Sequence, residues 1–161
     1  LEGLVVMVPR CGASVARINE NRLKDVLEVR GALDELAIKL ACEHITEEQL
    51  RRLNEAKLRF ETNTMGGSIA RIVDADVKFH DIILEASCNE RLIQIMTNLS
   101  EQIYRYRYEC VKDSRIYEDL INEHTMMYDC LERGDIEKAA LVARTHIERQ
   151  EQVIISNLSA N

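Results

Sequence analysis

Apolar positions follow two rhythms along the chain. In "GLVVMVPRCGASVA", β-branched residues flank a Pro-x-x-Gly turn signal. This pattern predicts a β-hairpin, with strands over about Leu4 to Val8 and Ala13 to Ala16 and a turn over Pro9 to Gly12. A lone hairpin is marginal in water, so it is expected to be the remnant of a larger unit. "RINEN" reads as a linker.

From about Arg22 the apolar residues recur with helical period. The first helix runs to about Ile45 on a stripe of Leu23, Val26, Leu27, Leu33, Leu36, Ala37, Leu40 and Ala41. Thr46, followed by Glu47 and Glu48, is an N-cap with acids in the first turn. It opens a second helix carrying Leu50, Leu53, Leu58 and Phe60. "MGGS" breaks that helix, and Ser68 can cap a third, to about Ala86. Asn89 starts a fourth, with Leu92, Ile95, Met96, Leu99 and Ile103 on its stripe. "KDSR" precedes a fifth, from about Ile116 to Arg133. Gly134 ends it, and Asp135 caps a sixth that reaches about Asn157. The expected fold is all-α, an antiparallel bundle of about six helices behind a short β-hairpin.

Composition narrows the function. The chain has 161 residues, 46% of them apolar, which suits one domain with a real core. Its formal net charge of -7 and its lack of Trp disfavour nucleic-acid binding by this stretch. No apolar run approaches the length of a membrane span, and no basic amphipathic face suits a membrane surface. Five cysteines stand far apart without a C-x-x-C pair, as expected for reduced thiols in the cytoplasm. The chain opens on Leu1 rather than Met, so a fragment or processed form is expected.

Polar residues interrupt the apolar stripes at a few places. In "DADVKFHDIILEAS", Asp76 and His80 take positions that the helical period assigns to the core. His124 and His146 do the same in the fifth and sixth helices. At about 1.5 Å per residue, His124 lies roughly 15 Å before the Gly134 turn and His146 roughly 18 Å after it. The two imidazoles therefore share a level on facing helices. A buried carboxylate is costly unless paired or bound to a metal. One acid and three neutral imidazoles make a plausible first shell for zinc, nickel or manganese. The competing reading is hydrogen-bonded core histidines, with Asp76 and His80 as a buried couple. His44, at the end of the first helix, suits the helix dipole and reads as structural. Arg30 stands within an inward stripe. It is either an ion-paired or snorkelling side chain, or a guanidinium held for a carboxylate ligand. "YRYRYE" (Tyr104 to Glu109) tempts a nucleic-acid reading, but its residues spread round the helix, and a pocket wall or subunit contact is expected.

"DVLEVRGALDELAIKLA", "DADVKFHDIILEASCNERL" and "NEHTMMYDCLERGDIEKAALVARTHI", in that order, resemble the FCD effector domain of GntR-type transcription regulators. The resemblance covers about residues 22 to 155. "LEGLVVMVPRCGASVARI" resembles the end of a winged helix-turn-helix domain. The implied organisation is a wing remnant over residues 1–18, a linker over 19–21 and a helical effector domain over 22–157. The resemblance implies a metal held by Asp76, His80, His124 and His146, a small carboxylate effector (a sugar acid or other organic acid) meeting Arg30, and a homodimer. Six helices look more like the VanR-type than the FadR-type subgroup. The DNA-recognition helices are absent from this sequence, so operator DNA is expected to be bound through that missing N-terminal part rather than by this stretch.

The expectation is a non-enzymatic sensor. Its rival is an HD-type metal phosphohydrolase, prompted by His80 next to Asp81. That reading needs Asp81 as a ligand, yet Asp81 falls about 100° from His80, toward the polar side. It also needs an upstream histidine, and only His44 is available.

Overall fold

The structure, a computed structural model, describes residues 5–8, 12–15 and 18–159. Two strands, β1 (Val5–Val8) and β2 (Gly12–Val15), pair antiparallel with Val5 opposite Val15 and Val8 opposite Gly12. Leu4, Ala16 and the turn at residues 9–11 lie outside the described residues. Six α-helices follow: α1 (Glu20–His44), α2 (Glu47–Thr64), α3 (Ile69–Ala86), α4 (Glu90–Cys110), α5 (Tyr117–Arg133) and α6 (Ile136–Ser159). A 3-10 turn, Ser114–Ile116, leads into α5. The fold is all-α. None of the described helices is long and apolar enough to cross a membrane.

Local chemistry sets the boundaries. Thr46 and Gln49 form a reciprocal capping box at the start of α2. Ser68 and Asn89 accept from Arg71 N and Leu92 N at the starts of α3 and α4. Asp135 accepts from Lys138 N in the first turn of α6. Gly134 ends α5 in the left-handed region, at φ 67°, where a side chain would be strained. Gly67 closes the α2–α3 turn so tightly that a Cβ there would stand 2.7 Å from the Asn63 carbonyl oxygen.

Helix α1 lies along α6, and α5 and α6 form a hairpin. Helix α3 packs on α1, α2 and α4, while α2 also meets α5. The interior is layered. One apolar cluster contains Ile38, Phe79, Ile82, Met127 and Ala143. A second contains Leu27, Ile72, Leu120 and Ile147. Between them, on the same four helices, lie Arg30 (α1), Asp76 (α3), His124 (α5) and His146 (α6), all buried. The bundle is thus two apolar cores with a polar layer between them.

Three leucine or isoleucine positions depart from the expected inward stripes. Leu36, Leu58 and Ile95 are 42%, 49% and 40% exposed. Each sits at the edge of its stripe, beyond the arc that neighbouring helices cover. Leu36 and Ile95 are the sequence neighbours of Ala37 and Met96, which belong to a small cluster with Leu92 and Ile103.

Candidate metal centre

Helix α3 carries Asp76 and His80 one turn apart, so both side chains reach the same level. His124 and His146 arrive from α5 and α6. One potential ligand atom from each of the four residues lies within 4.8 Å of every other. The imidazole rings of His124 and His146 are 5.5 Å apart between centroids, and those of His80 and His146 are 5.1 Å apart. The common level expected from the hairpin is therefore present.

The polar satisfaction of the layer is incomplete in a telling way. Asp76 Oδ1 stands 3.1 Å from His124 Nε2 and 3.8 Å from His80 Nε2. None of these three buried atoms has a hydrogen-bond partner, and neither does His124 Nδ1. Leaving a buried polar atom unsatisfied costs about 1–3 kcal/mol. With the His80 and His124 protons on Nδ1, the two Nε2 lone pairs and the Asp76 oxygen converge with no donor between them, which suits a cation. The donor set, one carboxylate and three imidazoles, fits a divalent transition metal.

Electrostatics keeps the imidazoles neutral. Burial lowers the His124 pKa to about 3, and the Arg107 guanidinium adds to the effect. Burial also holds His80 and His146 well below the usual range, reinforced by their histidine neighbours. Neutral imidazole is the metal-binding form. His124 is further fixed by stacking on Phe79, at 4.2 Å between centroids, and by an edge contact with Phe60 at 4.6 Å.

The surrounding residues orient this set. His146 Nδ1–H donates to Glu123 Oε2 at 2.7 Å, which leaves Nε2 as the lone-pair nitrogen. In this structure the Gln150 amide donates to that Nε2 at 2.9 Å, while its oxygen accepts from Arg30 Nη1 at 2.8 Å. Arg30 also pairs with Asp34 at 3.1 Å, and its Nη2 has no partner. Arg107 from α4 is buried and ion-paired with Asp76 Oδ2. Its Nε has no partner.

A cleft of about 550 Å³ opens beside this layer, reaching His80 and Arg107 at its inner end. Tyr104 also lines it, so the "YRYRYE" run does form a pocket wall. Asp81 is exposed on this cleft and is not among the four grouped ligands. His44 is exposed at the far end of α1. The phosphohydrolase arrangement is therefore not assembled among the described residues.

Glu123, Gln150 and Arg107 were not foreseen as parts of the site. Gln150 had a signal, since it falls one turn after His146 on the same apolar stripe. Glu123 precedes His124 directly, a position that does not separate it from a solvated acid. Arg107 is masked by the alternation of Tyr and Arg around it, and its partner is on another helix.

Comparison with known proteins agrees with this architecture. The family model described as the FCD domain matches residues 25–149. The chain is 27% identical over 150 residues to the Nta operon transcriptional regulator of Aminobacter aminovorans, covering 92% of this chain and 69% of that protein. It is 22% identical over 142 residues to the HTH-type transcriptional regulator YdhC of Bacillus subtilis, covering 86% of this chain and 62% of that one. The chain thus spans about two thirds of the length of these relatives. The solved metal-free FCD domain of TM0439 superposes with a TM-score of 0.74 at 20% identity, covering 91% of this chain and all of that one.

Proposed function

Because the chain belongs to the FCD domain family, we propose that it is the effector-sensing and dimerisation part of a GntR-type transcription regulator. The relatives it matches are transcriptional regulators by name, and no catalytic step is assigned to it. In this reading Asp76, His80, His124 and His146 hold one divalent metal, zinc first, with nickel or manganese as alternatives. The observation that carries it is the convergence of four buried ligand atoms, three of them without a hydrogen-bond partner. The metal, when bound, supplies a fixed positive charge and an exchangeable position for a carboxylate oxygen.

The protein's own residues complete the sensor. Arg30 and Arg107 each keep a buried guanidinium nitrogen without a partner, and a small carboxylate supplies the missing acceptor. Gln150 links Arg30 to His146, so occupancy of His146 Nε2 by a metal redirects the Gln150 amide. An effector that binds one arrangement of α1, α4 and α6 more tightly shifts the bundle toward it. Residues 1–18 are assigned to the wing of a DNA-binding domain, 19–21 to a linker and 22–157 to the effector domain. Operator DNA is met by the rest of the regulator, in the cytoplasm. A second copy of the chain covers the exposed Leu36 and Ile95 beside the α1–α4 cluster.

Thermal shift with chelator-stripped protein tests this reading. Zinc raises the melting temperature, and a small organic acid raises it again only when zinc is present. No response to any divalent metal contradicts it.

A further inference from the structure

The cleft between α3 and α4 carries more information than the presence of a site. Its inner end is His80 and Arg107, with Asp34 beside them already ion-paired to Arg30, and the Arg107 Nε is buried without a partner. Its walls are Val77, Leu84, Met96 and Ile103, none of which offers a side-chain hydrogen bond. Hydroxyls occur only toward the solvent, at Thr97, Ser100 and Tyr104, and the Tyr104 hydroxyl is already donated to Asp74 at 3.2 Å. Two exposed acids, Asp81 and Glu101, stand at the rim. The volume of about 550 Å³ is that of a small-molecule site.

Resting on the sensor reading above, we propose that the cleft selects a monocarboxylic acid with an uncharged, apolar body, and that Arg107 anchors the carboxylate. The chemistry decides among acid classes. A single carboxylate meets the unpartnered donor of Arg107 at the inner end. A polyhydroxylated chain would lay its hydroxyls against Val77, Leu84, Met96 and Ile103 and lose their water without replacement. A second carboxylate at the far end of the ligand would face Asp81 and Glu101, an arrangement that rejects dicarboxylates by like-charge repulsion. An aliphatic or aromatic body has no such cost and buries against the same walls.

Calorimetric titration of the whole chain with four six-carbon probes tests this. The probes are hexanoate, gluconate, adipate and the neutral hexanamide, each with and without zinc. Hexanoate is expected to bind at least tenfold more tightly than the other three. Arg107→Gln is expected to lower hexanoate affinity at least tenfold. Thr97→Trp, at the exposed rim, is expected to block hexanoate equally while zinc affinity stays at the wild-type value. This variant keeps the test valid if Arg107→Gln does not fold. Gluconate or adipate matching hexanoate, hexanoate insensitive to Thr97→Trp, or no hexanoate binding in either state overturns the inference. The two readings fail separately. Gluconate binding more tightly to the zinc-loaded protein overturns this inference and leaves the metal sensor standing. Failure of zinc to bind, with hexanoate still lost in Thr97→Trp, removes the metal and supports the cleft.

Discussion

Glu123 and His146 face each other across the α5–α6 hairpin, with carboxylate oxygen and imidazole Nδ1 2.7 Å apart. The other Glu123 oxygen accepts from Arg149 Nε, also at 2.7 Å. Burial raises the Glu123 pKa, and the Arg149 guanidinium opposes that rise. The carboxylate fixes the His146 proton on Nδ1 and so aims Nε2 at the other ligands. Glu123→Ala is expected to weaken metal affinity about 10–100-fold, the usual effect of losing such an orienting partner. Competition against a chelating indicator measures it. Wild-type affinity in the variant would assign Glu123 to packing alone.

Asp76 and Arg107 form a buried ion pair from α3 and α4. Removing one partner leaves the other charge uncompensated. Asp76→Leu is expected to destabilise the metal-free protein by about 3–5 kcal/mol in denaturant unfolding. Asp76→Leu with Arg107→Leu is expected to recover much of that loss, since no lone charge remains. Equal losses in the single and double variants would show that the pair does not govern stability.

Three buried imidazoles make the metal-free fold sensitive to acid. Their folded-state pKa values lie below the unfolded value of 6.5, and that of His124 is about 3. The neutral form is favoured in the fold, so the unfolded chain binds more protons as pH falls below 6.5. Stability is complete above that pH and declines toward pH 3. The slope is roughly 1.4 kcal/mol per pH unit for each histidine involved. Urea unfolding of stripped protein between pH 7 and 5 checks it, and a flat profile would contradict the burial of these rings.

Cys88 adopts a left-handed backbone, φ 52°, at the α3–α4 junction, and its side chain is exposed. Glycine relieves about 1–2 kcal/mol there and returns part of it through the unfolded chain. Cys88→Gly is expected to raise the melting temperature by about 2–4 °C. Cys88→Ala should not. A lower melting point for the glycine variant would mean that the thiol packs in a way its exposure denies.

Much of this architecture was legible from periodicity. Thr46, Ser68, Asn89 and Asp135 announced helix starts because short polar side chains cap backbone donors locally. Asp76, His80, His124 and His146 stood out because each broke an apolar stripe. What the sequence concealed depends on contacts between helices. Arg107, the partner of Asp76, and Glu123, the partner of His146, are ordinary polar positions on their own helices. Leu36 and Ile95 show the converse, since a stripe marks what can be buried, and the neighbours decide what is.

Asp76, His80, His124 and His146 are proposed to hold one metal ion. Anomalous diffraction at the zinc edge, on crystals grown with zinc, locates such an ion. A single strong peak per chain is expected, about 2.0–2.2 Å from one atom of each of the four residues, and it is expected to be lost in His124→Ala. No peak in the layer, or one at other residues such as the cysteines, would contradict that proposal.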